Sequence, residues 1–172
     1  MPELSGVITG RSPLRGIEWE FQIMTHVARE TVAKKKATAR TVKGYVANIE
    51  ELTKENTDFR RVLYTGENLQ LVLMSIKPGD EIGEETHDDR DQFFRIEKGK
   101  GEVWINGECS KIKKDDAIVV PAGAKHNVVN TGEKSLRLYS IYAPPEHRDG
   151  TVHETKADAV RDEEHFDGKT TE

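Results

Sequence analysis

The sequence predicts an all-β domain, a sandwich or barrel, and three observations carry that prediction. From about residue 41 onward, short runs of β-branched and aromatic residues recur at close intervals. Turn signals separate them, among them Thr65-Gly66-Glu67-Asn68, Pro78-Gly79-Asp80 and Asn106-Gly107. No stretch between the runs is long enough for the crossover helix of a βαβ unit.

Residues 1–40 read as an N-terminal extension. Gly6, Gly10, Pro13 and Gly16 punctuate its first part, and Ile17, Phe21, Met24 and Ala28 then recur at helical spacing, which predicts a short amphipathic helix over about 17–33. Glu18, Glu20 and Glu30 fit poorly with a targeting peptide. Met24 is a candidate alternative start. Lys34-Lys35-Lys36 reads as a solvated stretch before the domain.

Residues 41–147 carry the strands. The expected runs are Phe59–Tyr64, Leu69–Ile76, Gln92–Glu97, Glu102–Ile105, Glu108–Ile112, Ala117–Val120, His126–Asn130 and Leu136–Ala143. Asn106-Gly107 joins the fourth and fifth as a hairpin, because a type I′ turn needs positive φ at both central residues. After Pro144-Pro145 the chain turns polar and acidic. Residues 148–172 are expected to be a tail, mobile beyond about 158, with a poorly anchored helix over 154–164.

Composition removes several classes. With a single cysteine, Cys109, the chain has no disulfide framework and no four-cysteine zinc site. No apolar run approaches the roughly 18 residues of a membrane helix, and no secretory leader is visible. A cytoplasmic protein is expected, without membrane partners. The net charge of −5 hides a gradient from a basic front to an acidic tail: residues 1–43 hold eight Lys/Arg against four acids, and residues 144–172 hold four against nine. No basic stripe with interleaved aromatics is present, so nucleic acid is not an expected partner.

The chemistry concentrates in Gly79–Gln92 and Pro121–Asn130. Glu85 and His87 are two apart, which places both side chains on one face of a strand. Asp88, Asp89 and Asp91 read as a solvated hairpin tip, after which Gln92 starts the next strand, across from His87. Pro121-Ala-Gly-Ala-Lys-His126 delivers a second histidine at a strand start. Two histidines and one carboxylate converging on one point form the ligand set of a facial metal triad. If Gln92 points inward, so do Phe94 and Ile96, while Phe93, Arg95 and Glu97 point outward. Val128 and Asn130 share the face of His126, and Arg95 is then a poor phosphate clamp. Trp104 and Tyr139 are expected to line the barrel or pack its core. Glu146, His147 and His153 leave the last strand where a segment can fold over a barrel mouth, which makes His147 or His153 an acid–base candidate.

These residues resemble the small single-domain cupins over about 44–147. Gly79, Glu85-x-His87, Gln92 and Gly99 stand where the family's first motif has glycine, His-x-His, glutamate and glycine. Asp115, Pro121-x-Gly123, His126 and Asn130 stand where its second has glycine, Pro-x-Gly, histidine and asparagine. The resemblance implies a cupin-type double-stranded β-helix, that is, a jelly-roll barrel. It also implies one divalent transition metal (Mn, Fe, Co, Ni or Zn) held by Glu85, His87, Gln92 and His126. The carboxylate of the family's ligand set has moved to position 85 rather than vanished. The Gln92 carbonyl is a weak neutral donor that binds the ion loosely or orients a bound water.

Sugar-phosphate isomerases of the cupin type offer the nearest parallel, so the pattern is mannose-6-phosphate isomerase-like. The expected function is a metal-dependent isomerase or epimerase acting on a small carbonyl-bearing or anionic substrate. Glu85 is then a ligand or the proton-moving base, with His153 as a second catalytic candidate. A non-haem dioxygenase or a non-enzymatic small-ligand-binding cupin is the alternative. Pairing of small cupins through outer strands implies a homodimer.

Overall fold

The structure, a computed structural model, describes residues 43–172. The expected extension over 1–40, its helix and its lysine run lie outside the described residues. Lys43–Glu172 form one compact unit.

All eight expected runs are strands: β1 (Arg60–Thr65), β2 (Gln70–Ile76), β3 (Asp91–Lys98), β4 (Lys100–Ile105), β5 (Glu108–Lys113), β6 (Ala117–Val120), β7 (His126–Val129) and β8 (Leu136–Ala143). A two-residue β9 (Val152–His153) follows, with helices α1 (Ile49–Glu55) and α2 (Lys156–Arg161) before and after the strands. Asn48 caps α1, its side-chain oxygen accepting from the Glu51 N–H at 3.2 Å.

Six strands form one sheet in the order β6-β3-β8-β2-β1-β9, and β5-β4-β7 form a second. Every paired neighbour is antiparallel. Single bridges from Glu81 to Val129 and from Glu85 to His126 add the motif segment to the second sheet beside β7. The result is an all-β jelly-roll barrel.

Strand parity decides what faces its interior. On β8, Leu136, Leu138, Ser140 and Tyr142 are buried, while Arg137, Tyr139 and Ile141 are partly exposed. On β3, Gln92, Phe94 and Ile96 point inward, as their alternation predicts. With Val72, Met74, Ile76, Val103 and Val128 they make the core between the sheets.

Two expectations about aromatics are corrected. Trp104 is 43% exposed, because Gly101 and Val103 take the inward positions of β4 and turn their neighbour outward. Tyr139 lies on the outer face of the first sheet, its ring 6.2 Å from that of Phe93. Both sit one residue away from an inward position.

Turn geometry accounts for several motif residues. Asn106 and Gly107 have φ of 50° and 85°, the type I′ pair the hairpin requires. Asp115, where the motif has glycine, has φ of 76°. Its carboxylate accepts from Arg95 Nη2 at 2.9 Å and its N–H donates to the Ile96 carbonyl at 2.9 Å, so contacts offset the left-handed backbone.

Gly101 is fixed by space rather than by φ. A Cβ there would come within 2.3 Å of the Val129 carbonyl oxygen. Gly101→Ala is expected to force β4 and β7 apart at a cost of about 1–3 kcal/mol. Urea unfolding reads this as a lowered midpoint, and an unchanged midpoint would show that the two strands have slack there.

The C-terminal segment, expected to be a mobile tail, returns across the barrel with specific partners. Gln70 exchanges bonds with the His147 backbone: its amide donates to the carbonyl at 2.6 Å and its oxygen accepts from the N–H at 2.9 Å. Phe166 N–H donates to the Glu146 carbonyl at 2.8 Å, and Thr171 N–H to the Thr65 carbonyl at 2.9 Å. Composition misleads here because the acids find donors. Glu164 is buried, accepting from His147 Nδ1 at 2.8 Å and from the Arg148 N–H at 2.7 Å.

Candidate metal centre

Three elements bring the ligand candidates together. Residues 81–87 run beside β7, and Glu85 exchanges both backbone bonds with His126 at 2.9 Å. His87 follows on the same face, its carbonyl accepting from the Gly123 N–H at 2.8 Å. Gln92 comes from β3 on the other sheet. It does not sit across from His87: its register partners are Val120 on β6 and Tyr142 on β8. It reaches the same point from the facing wall.

Glu85, His87 and His126 each present one ligand atom, and these atoms lie within 4.8 Å of one another. Among the described residues this is the one such group of three. Glu85 Oε2 is 3.5 Å from His87 Nε2 and 4.0 Å from His126 Nε2. A first-row ion held at about 2.1 Å by N and O donors puts neighbouring donors about 3.0–3.5 Å apart. The cluster is therefore within a small contraction of a coordination shell.

The rings are oriented for that task. His126 Nδ1 faces the Ala124 carbonyl at 3.0 Å, and His87 Nδ1 faces Glu146 Oε2 at 3.5 Å. Placing the proton on Nδ1 leaves each Nε2 lone pair turned toward Glu85, the arrangement in which an outer carbonyl or carboxylate fixes a ligating tautomer. Glu146 is itself held by Arg90 Nη1 at 2.7 Å.

The donor set fits a cation on two further counts. Glu85 Oε2 and His87 Nε2 are buried and have no hydrogen-bond partner. His126 Nε2 lies 2.8 Å from the Gln92 amide oxygen, while the Gln92 amide nitrogen donates to Ser140 Oγ at 3.2 Å. With Nδ1 carrying the proton, that places two acceptors face to face, which a shared cation, an extra proton or an overturned amide relieves. A metal-free pair is reconciled by turning the amide over, so that it donates to His126.

Electrostatics keep Glu85 ionised. Burial raises its pKa, but the contact with His87 and the Arg60 guanidinium outweigh it and hold the carboxyl below the usual range. Arg60 Nη2 stands 3.7 Å from Glu85 Oε1.

The remaining sequence candidates are dispersed. Asp88, Asp89 and Asp91 are exposed, as a hairpin tip should be. His153 lies in β9 opposite Arg60, and its Nε2 is 3.2 Å from Asp162 Oδ2. His147 meets Glu164, and its ring packs edge-on against Tyr142 at 5.1 Å, as does that of His87 at 5.7 Å. Val128 and Asn130 are fully buried on the His126 face. Sequence reasoning did not single out Arg60, Arg90 or Tyr142. An arginine at an inward position of β1 was the one available signal.

The His147–Glu164 pair predicts acid sensitivity. Burial pushes the His147 pKa down, only partly offset by Glu164. Burial pushes the Glu164 pKa up, but His147 and the Arg148 N–H outweigh it, so it too lies below its usual value. A lowered folded-state pKa means that the unfolded chain binds more protons, so acidification removes stability. The loss begins as pH falls through the ordinary histidine value of about 6.5 and deepens below about 4.3. Urea midpoints across pH 4–8 check this, and His147→Gln should flatten the limb near pH 6. An unchanged limb assigns it to another group.

Known proteins place this architecture. A family model described as "Cupin domain" matches residues 72–142. The Bacillus subtilis protein YrkC, whose function is uncharacterized, is 52% identical over 128 residues, spanning 71% of this chain and 69% of YrkC. The crystal structure of BH2720 from Bacillus halodurans superposes with a TM-score of 0.69 at 49% identity, covering 72% of this chain and 98% of that one. Mannose-1-phosphate guanylyltransferase of Salmonella montevideo is 30% identical over 76 residues, which are 44% of this chain but only 16% of that protein. A barrel of this topology, with these two motifs and with the two Bacillus proteins matched along most of their length, leaves one assignment: the chain belongs to the cupin family.

Proposed function

We propose that the protein is a divalent-metal cupin acting on a small carbonyl-bearing or anionic substrate, with Glu85, His87 and His126 as the strong ligands. One observation carries this: three side chains from two motifs converge within 4.8 Å, and two of their ligand atoms, Glu85 Oε2 and His87 Nε2, are buried with no hydrogen-bond partner. Gln92 is the fourth, weaker donor. Mixed N and O donors suit Mn, Fe, Co, Ni or Zn.

When bound, the ion supplies Lewis acidity, polarising a carbonyl and acidifying bound water. The chain's own residues do the rest. Glu146 and the Ala124 carbonyl orient the two imidazoles. Tyr142, wholly buried, holds water away behind His87. Glu85 Oε2 faces the two histidines as a ligand, while Oε1, turned toward Arg60, is the oxygen left to move a proton between neighbouring carbons. His153, whose Nε2 meets Asp162 at 3.2 Å, is the second acid–base candidate.

The reaction favoured is of the sugar isomerase or epimerase type, mannose-6-phosphate isomerase-like. The set Glu85-x-His87, Gln92 and His126, which looks like the isomerase set with its amide and carboxylate exchanged, supports this reading. A dioxygenase is the second reading, favoured by the two-histidine, one-carboxylate set, which leaves open positions on an iron. Among the described residues no helix is long and apolar enough to cross a membrane. A homodimer belongs to the same proposal, and light scattering checks it.

Protein purified without chelator and refilled separately with each metal should retain about one equivalent of at least one. Retention of none would end both enzyme readings. An aldose–ketose screen with the retained metal should then show interconversion, while oxygen consumption with iron would transfer the assignment to the dioxygenase.

A further inference from the structure

We propose that Arg60 is the anion anchor of this site, holding the carboxylate of a small 2-oxo or 2-hydroxy acid beside the metal ligands. The inference rests on the metal reading above, not on the aldose–ketose reading, and narrows the substrate to the anionic class.

Arg60 is a charged residue facing the barrel interior. It lies on β1 with the parity of Val62 and is 8% exposed. A guanidinium carries five N–H donors, yet among the described residues no side-chain hydrogen bond satisfies any of them. Its Nε is buried without a partner, and its one carboxylate contact, to Glu85 Oε1, is 3.7 Å long. Three other arginines are better paired. Arg90 meets Glu146 at 2.7 Å, Arg95 meets Asp115 at 2.9 Å, and Arg61 meets Asp58 Oδ2 at 2.6 Å. Glu164 is spent on His147 and the Arg148 N–H. A mostly buried guanidinium this short of acceptors is unfavourable unless something completes its hydrogen bonds.

The geometry says what completes it. Glu85 turns Oε1 toward Arg60 and Oε2 toward His87 and His126. Arg60 and the metal ligands are thus separated by the span of one carboxylate. A molecule with an anionic group and an oxygen on the adjacent carbon covers the same span. Its carboxylate meets the planar fork, which matches it bidentately, while the neighbouring oxygen lies toward the histidines. A divalent ion with one anionic ligand keeps about one positive charge, and Arg60 adds another, so a bound anion is favoured. A phosphate group fits less well, because Arg90, the other cation in this neighbourhood, is already held by Glu146.

The test uses the full chain loaded with zinc and titrated with pyruvate, hydroxyacetone or inorganic phosphate. Hydroxyacetone has the pyruvate skeleton with the carboxylate replaced by a neutral group. Wild type should bind pyruvate, and Arg60→Gln should weaken it at least tenfold while keeping about one equivalent of zinc. Hydroxyacetone binding should not change between the two, and Arg60→Lys should be intermediate. The wild-type Arg60 Nε–H resonance should shift with pyruvate and not with hydroxyacetone, which tests the contact even if the glutamine variant fails to fold. Pyruvate binding within twofold in Arg60→Gln, or a resonance that does not move, overturns the proposal while zinc retention leaves the metal reading standing. Phosphate binding that depends on Arg60 in place of pyruvate binding overturns the carboxylate assignment. A wild type that holds no zinc or other divalent metal overturns both.

Discussion

His126→Ala is expected to strip the protein of its metal, from about one equivalent to a trace. His126 is 3% exposed, and its Nε2 faces both Glu85 Oε2 and the Gln92 amide oxygen. Losing an outer-shell partner alone costs about 10–100-fold in affinity, so losing the ligand itself should exceed about 100-fold. Stability responds as well: an ion present at about 100 times its dissociation constant adds about 2.7 kcal/mol to the folded state. Chelator should lower the melting temperature of wild type and leave that of the variant unchanged. Glu85→Gln preserves volume and removes the charge, so it separates loss of coordination from loss of packing. Wild-type metal content in His126→Ala would show that the ligand assignment is wrong.

The parts of this site that were legible in the sequence are those fixed by local spacing. Glu85-x-His87 reads as one face because a strand alternates with period two, and Pro121-x-Gly123 sets His126 at a strand start. Gln92, Phe94 and Ile96 are inward for the same reason. What failed was what depends on which strands are neighbours. Gln92 was expected across from His87, but the hairpin tip between them carries the chain to the facing sheet, where its partners are Val120 and Tyr142. Arg60 was invisible for a related reason. β1 lies outside both motifs in sequence, and only the facing of the two sheets brings its inward arginine to Glu85, whose segment runs beside β7. The acidic C-terminal segment was misread because composition counts charges without their partners. Glu164 looks like one acid among nine until His147 and the Arg148 N–H are seen to meet it.

Phe94→Ala is expected to be the most damaging single truncation of the core, at about 3–5 kcal/mol. Against a typical domain stability of about 5–15 kcal/mol, that leaves a folded but fragile protein. Phe94 is wholly buried on β3, between Gln92 and Ile96, and its ring lies 6.2 Å from that of His126. The same side chain therefore closes the barrel and backs a ligand. Its loss should lower the urea midpoint and, separately, weaken metal retention in the fraction that remains folded. Phe94→Leu, nearer in volume, should cost less than about 1.5 kcal/mol. Val119→Ala, one strand away but 65% exposed, should stay within about 0.5 kcal/mol. If Phe94→Ala lost stability and kept its full metal affinity, the ring's part would be packing alone. His126 would then be held in place by its bonds to Glu85 and Ala124, with no help from the wall behind it.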